Sequence, residues 1–140
     1  MELADALAFA SSSHNGVLVT LKRDGRPQLS NISYAVVDGA VGISITDGRA
    51  KTKNLRRDPR ASLYVTSSDF WSYVVLEADA ELTPVAGAPD DDTVEQLIAL
   101  FRAVQGKDHP DWDEYRAAMV NDKRLIAWLR PEHAYGFTRG

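Results

Sequence analysis

Two Asp-Gly pairs, Asp24-Gly25 and Asp38-Gly39, each stand between runs in which apolar and polar residues alternate. Such pairs favour the tight turn of a hairpin, so the runs they join read as antiparallel neighbours. Val17, Val19 and Leu21 belong to the first strand; the spacing predicts a return strand over Gln28–Val37 and a third over Ala40–Thr46. In the third, Val41, Ile43 and Ile45 alternate with Gly42 and Ser44, whose small side chains are expected to leave one face open. The pattern argues against an all-parallel α/β fold, and no GxGxxG follows any strand.

The rest of the chain continues in the same style. Strands are expected over Ala61–Ser67, over Tyr73–Pro84 and over Lys123–Leu129, with Pro131 and a tail from Glu132 after the last. Tyr73–Pro84 is long enough to bend round a barrel corner. Helical spacing appears in residues 1–11, in the basic run Ala50–Arg57 ahead of Asp58-Pro59, after the capping-box-like Asp92-Thr93-Val94-Glu95, and from Asp111 onward. The sum is a mainly β chain: six antiparallel strands in a small barrel or strongly curved sheet, with helices outside it. At 140 residues, without repeats or a linker, residues 1–140 read as a single domain.

Several chemistries drop out. There is no cysteine, hence no disulfide, thiolate zinc site or thiol nucleophile. The three histidines lack metal-binding spacing, Asp90-Asp91-Asp92 lacks the calcium-loop pattern, and no GxSxG elbow occurs, so neither a metal nor a catalytic residue is assigned. Met1-Glu2-Leu3-Ala4-Asp5 carries no basic leader, and no apolar run approaches the roughly 18 residues of a membrane span, so the expectation is a cytoplasmic protein without a membrane partner.

Charge is distributed unevenly. Residues 49–60 hold Arg49, Lys51, Lys53, Arg56, Arg57 and Arg60 against Asp58, a local +5, while the net charge of −4 leaves −9 for the remainder. A basic island on an acidic protein suits a small anion better than a nucleic acid, whose phosphates the remainder would repel. Ser44 to Thr52 runs from a strand end into a helix start, where first-turn N–H groups lack partners. Arg49 and Lys51 add charge-assisted bonds there and Thr52 a hydroxyl; the alternative is a solvated basic helix.

Gln28, Ser30 and Asn31 make the second strand unusually polar, suited to the heteroatom edge of a planar ring or simply to water. Phe70-Trp71-Ser72-Tyr73 gathers aromatics that serve the core, an interface or a stacked ligand. A phosphate grip without acid, base, nucleophile or metal points to chemistry carried by a bound coenzyme.

Gly25-Arg26-Pro27-Gln28-Leu29-Ser30-Asn31, Arg49-Ala50-Lys51-Thr52-Lys53-Asn54-Leu55, Asp58-Pro59-Arg60-Ala61-Ser62 and Trp71-Ser72-Tyr73, in this order, closely resemble one known group. It is the actinobacterial deazaflavin-dependent branch of the pyridoxamine 5′-phosphate oxidase-like, split β-barrel flavin/deazaflavin oxidoreductases. The resemblance implies a homodimeric split barrel that binds coenzyme F420 rather than FMN at the subunit interface and passes a hydride to a small-molecule acceptor, biliverdin among those its members reduce. It implies that Arg49, Ala50, Lys51 and Thr52 hold the coenzyme phosphate, that Gln28, Ser30, Asn31 and Ser44 line the deazaflavin, and that Trp71 approaches from the partner subunit. An FMN-dependent oxidase and a non-catalytic F420 carrier are the competing readings.

Overall fold

The computed structural model describes residues 1–139. In chain order the elements are α1 (Leu3–Ser11), β1 (Asn15–Leu21), β2 (Pro27–Ser33), β3 (Ala35–Val37), β4 (Ala40–Thr46), α2 (Ala50–Arg57), β5 (Arg60–Thr66), β6 (Tyr73–Leu82), α3 (Asp92–Gln105), α4 (Trp112–Asn121) and β7 (Arg124–Phe137). The strands form one antiparallel sheet in the order β2-β1-β5-β6-β7-β4-β3. The two hairpin Asp-Gly pairs turn as expected, with positive φ at Gly25 (87°) and Gly39 (79°).

The sheet order dictates the shape. β2 and β3 lie at opposite edges of a seven-stranded sheet, yet Tyr34 alone separates them in the chain. Six inter-strand steps in a flat sheet would hold them about 29 Å apart, whereas one residue spans about 3.5 Å. The sheet therefore curls until its edges meet, which makes the split barrel. Tyr34 closes the seam: fully buried, it donates its N–H to His14 O (2.9 Å) and its hydroxyl to Ala10 O (2.6 Å), while His14 Nδ1 lies 3.0 Å from Tyr34 O.

The seam corrects the expected strand count from six to seven, because the anticipated Gln28–Val37 strand is two strands that leave opposite edges at Tyr34. The last strand is also longer than expected, running past Pro131 to Phe137 instead of stopping at Leu129. A bulge permits this. Ala78 faces Pro131 and Glu77 faces His133, so Glu132 is the extra residue, and the strand passes a proline that has no N–H for the ladder.

Leu18, Ile43, Ile45, Leu63, Leu76, Leu125 and Leu129 fill the barrel, with Ala6 and Ala10 of α1 packed against them. A second cluster joins Val94, Leu97 and Leu100 of α3 and Tyr115 and Met119 of α4 to Ile126 on the outer side of β7. β4 is thereby covered on both faces. The face expected to stay open is filled at Gly42, where a Cβ would lie 2.7 Å from the Trp128 ring and 3.0 Å from Leu100, and is open at Ser44. The helix hairpin starts on carboxylate caps: Asp91 accepts from Val94 N (2.8 Å) and Asp111 from Glu114 N (3.1 Å). Asp91, rather than Asp92, caps α3. Among the described residues no helix is long and apolar enough to cross a membrane.

Burial pushes the phenols of Tyr34 and Tyr115 up to about 12. The unfolded chain releases those protons near pH 10, so stability present below pH 10 is lost as pH rises through about 12. Tyr34→Phe should lower stability by about 1 kcal/mol at neutral pH by deleting the bond to Ala10. It should also flatten the alkaline loss, as read from urea melts between pH 8 and 11.5.

Candidate functional site

β4 ends at Thr46, and Asp47-Gly48 turns the chain into α2 with Arg49 at the N-cap position. Thr52, fully buried, donates its hydroxyl to Thr46 O at 2.7 Å and pins the first turn of the helix to the strand end. That bond commits the only proton of a hydroxyl expected to serve a ligand. Arg49 N reaches the same carbonyl at 3.2 Å. No side chain caps α2 and no acid lies in its first turn, in contrast to α3 and α4. The carboxylate of Asp47, in the turn itself, bonds Arg56 at the far end of the helix (2.5 Å). Among the described residues, the N–H groups of Ala50, Lys51 and Thr52 thus have no carboxylate cap.

The β4–β7 ladder places Arg124 opposite Thr46, beside that turn. Arg49, Lys51 and Arg124 then stand together, and among the described residues none of them makes an ion pair. Partial burial, reinforced by the Arg49 and Arg124 charges, holds the Lys51 ammonium below the ordinary lysine range. Arg124 Nε is buried and, among the described residues, has no hydrogen-bond partner. A concentration of positive charge that the fold leaves unneutralised favours an anion from outside.

Lys51 and Arg124 form one end of a cavity of about 390 Å³. Asn31 and Ser44 line its polar side, and Leu97, Leu100, Phe101 and Met119 of the helix hairpin form the apolar wall. Gln28 and Ala50 lie instead in a groove of about 510 Å³, with Lys22, Arg23, Asn54 and Arg57. Ala50 and Lys51 are consecutive, so each opening has one residue of the first turn of α2 in its wall. Ser30 is half-buried on the Gln28 face of β2. Trp71 is 64% exposed on the β5–β6 hairpin, under the Arg139 guanidinium (5.7 Å), and lines neither opening within its own chain.

Arg124 and the helix-hairpin wall escaped the sequence reading. Lys123-Arg124 opens a strand much as any basic pair does; only pairing with β4, far back in the chain, brings it to Lys51.

The model of the pyridoxamine 5′-phosphate oxidase family matches residues 3–137, nearly the whole chain. The chain belongs to the pyridoxamine 5′-phosphate oxidase family. This is a split-barrel family that binds flavins or deazaflavins and includes oxidoreductases. Among solved structures of similar fold, a conserved hypothetical protein of Mycobacterium tuberculosis is 27% identical, with 98% of this chain and 84% of that one covered and a TM-score of 0.77. An F420 reductase is 21% identical (87% and 89% covered, TM-score 0.62). A FAD-binding protein of Mesorhizobium loti is 20% identical (97% and 92% covered, TM-score 0.69). The last two likenesses speak for the fold alone.

Lys51→Met removes a charge that its neighbours repel, so the ligand-free variant should equal or exceed the parent in stability, by no more than about 1 kcal/mol. Because the Lys51 pKa is lowered in the fold, the parent should gain stability as pH climbs from that lowered value towards the ordinary one; the variant should lack the gain. Inorganic phosphate should raise the Tm of the parent and leave that of Lys51→Met unchanged, both read by differential scanning fluorimetry.

Proposed function

We propose that this chain is an F420-dependent oxidoreductase that works as a cytoplasmic homodimer and reduces a small conjugated organic acceptor. The observation that carries the reading is the unneutralised trio Arg49, Lys51 and Arg124 at the uncapped first turn of α2, two of which, Lys51 and Arg124, line a cavity. These residues fit a coenzyme phosphate: the helix offers N–H groups, the side chains offer charge-assisted donors, and among the described residues Arg124 Nε has no partner.

The coenzyme, when bound, supplies hydride transfer from C5 of its deazaflavin ring. The protein's part is to bind, orient and exclude water. Arg49, Lys51 and Arg124 hold the phosphate; Thr52 acts indirectly, by fixing the helix turn against Thr46. Asn31, Ser44 and Gln28 would supply polar contacts to the ring, and the α3–α4 residues would form the apolar wall beside it. Exposed Leu29, Phe70, Trp71, Tyr135 and Phe137 give a second copy apolar surface to cover, which brings Trp71 to the partner's site. Holding the ring and acceptor face to face accounts for most of the acceleration.

FMN also carries a phosphate, so the same grip supports an FMN-dependent oxidase as the second reading. Titration with F420 and with FMN, followed by fluorescence and co-elution, separates the two. Arg49→Ala and Lys51→Ala should each weaken coenzyme binding by about 1.5–3 kcal/mol, roughly 10- to 150-fold, with the fold intact. Unchanged affinity in the double variant rejects the site. Oxidation of reduced F420 across a panel of conjugated acceptors distinguishes an enzyme from a carrier, which would form a stoichiometric complex without turnover.

A further inference from the structure

The groove beside α2 contains a chain of hydrogen bonds whose direction is forced from one end. A guanidinium has donors only. Arg57 Nη2 donates to Leu21 O at 2.8 Å and to Asn54 Oδ1 at 2.9 Å. The Asn54 amide must then turn Nδ2 away from Arg57, and that nitrogen donates to Thr20 Oγ1 at 3.2 Å and to Gln28 Oε1 at 2.7 Å. Gln28 is obliged to present its oxygen inward, which leaves Nε2 as the atom turned away from Asn54. Asn54 and Thr20 are 6% and 0% exposed, so water does not compete for their bonds and scramble the order.

Gln28 sits on the wall of the groove with Lys22 and Arg23, both of which are donors only. Among the described residues Gln28 Nε2 has no protein acceptor. The groove thus offers N–H groups to whatever enters it.

We propose that Asn54 is a positioning and specificity-determining residue: locked by Arg57, it holds the Gln28 amide so that a ligand meets a hydrogen-bond donor. A ring edge carrying carbonyl oxygens or unprotonated nitrogen is accepted at this position, and an N–H edge is refused. The inference rests on the coenzyme reading for the identity of the ring but not for the direction of the bond.

Asn54→Asp tests it with almost no change in size. A carboxylate keeps Arg57 as a partner but cannot donate, so Gln28 must turn over, give Nε2 to Asp and show its oxygen to the ligand. F420 affinity, with FMN titrated in parallel, should fall at least about 10-fold in the parent background and less than about 2-fold in a Gln28→Ala background. A purely structural role would weaken both backgrounds equally, and that result overturns the proposal. The Gln28 side-chain NH2 resonances, assigned by their absence from Gln28→Ala, give a readout free of coenzyme. In Asn54→Asp one proton should move downfield and exchange more slowly with water; unmoved resonances also overturn the proposal. If neither coenzyme binds the parent, the coenzyme reading falls while the resonances still decide the amide orientation. Should Asn54→Asp fail to fold, Asn54→Leu frees Gln28 to rotate, and its affinity loss must again be confined to the background that retains Gln28.

Discussion

Closure of the sheet at Tyr34 is the constraint from which the other features follow. Because β2 and β3 occupy opposite edges and only this residue joins them, curling is enforced by chain connectivity and not by strand twist alone. The curl brings the end of β2, with Asn31, round to the cavity wall that Ser44 of β4 also lines. A flatter sheet of the same strands would leave these groups far apart, and the first turn of α2 would face open solvent. Tyr34 is secured from several directions, by its buried ring, its bond to α1 and its exchange of bonds with His14.

Against that rigid background the protein tolerates an electrostatic arrangement that does nothing for its own stability. Arg49, Lys51 and Arg124 repel one another, and partial burial of Lys51 raises the cost of its charge. Elsewhere the chain handles charge differently: Asp58 pairs with Arg60, Glu95 with Arg116 and Glu81 with Arg130, all at the surface. The α3 and α4 starts receive aspartate caps, whereas α2 receives an arginine. The core residues of the barrel, most of them wholly removed from water, offset the local repulsion. Under the coenzyme reading proposed above, the charge is held ready for the anionic group of the ligand.

The Arg57–Asn54–Gln28 chain adds direction to charge. Ammonium and guanidinium groups attract any anion, but an amide can donate or accept, and its usefulness in recognition depends on which end faces the ligand. Burial of Asn54 removes the ambiguity by letting a donor-only side chain dictate the order of bonds. In the proposed reading the helix contributes through its first turn, which would meet an anion, and through its last turn, where Arg57 acts through Asn54 on a strand residue that a ligand would touch.

Local chemistry was readable directly. Asp-Gly turns, the α2 range, the Asp111 cap and the mainly β class depend on neighbours within a few residues, and these appear where the sequence places them. The misjudged features were those that distance decides. Nothing local announces that the chain changes sheet edge at Tyr34, that β7 carries Pro131 through a bulge, or that Trp128 and Leu100 fill the space beside Gly42. Where turns and helices start and where positive charge is concentrated can be read along the chain, because those follow from backbone preference and residue charge. That Arg124 joins Lys51, that Thr52 commits its hydroxyl to Thr46 and that Asn54 orients Gln28 are outcomes of the folded arrangement. Those contacts exist only once sheet closure has brought distant stretches of the chain within bonding distance.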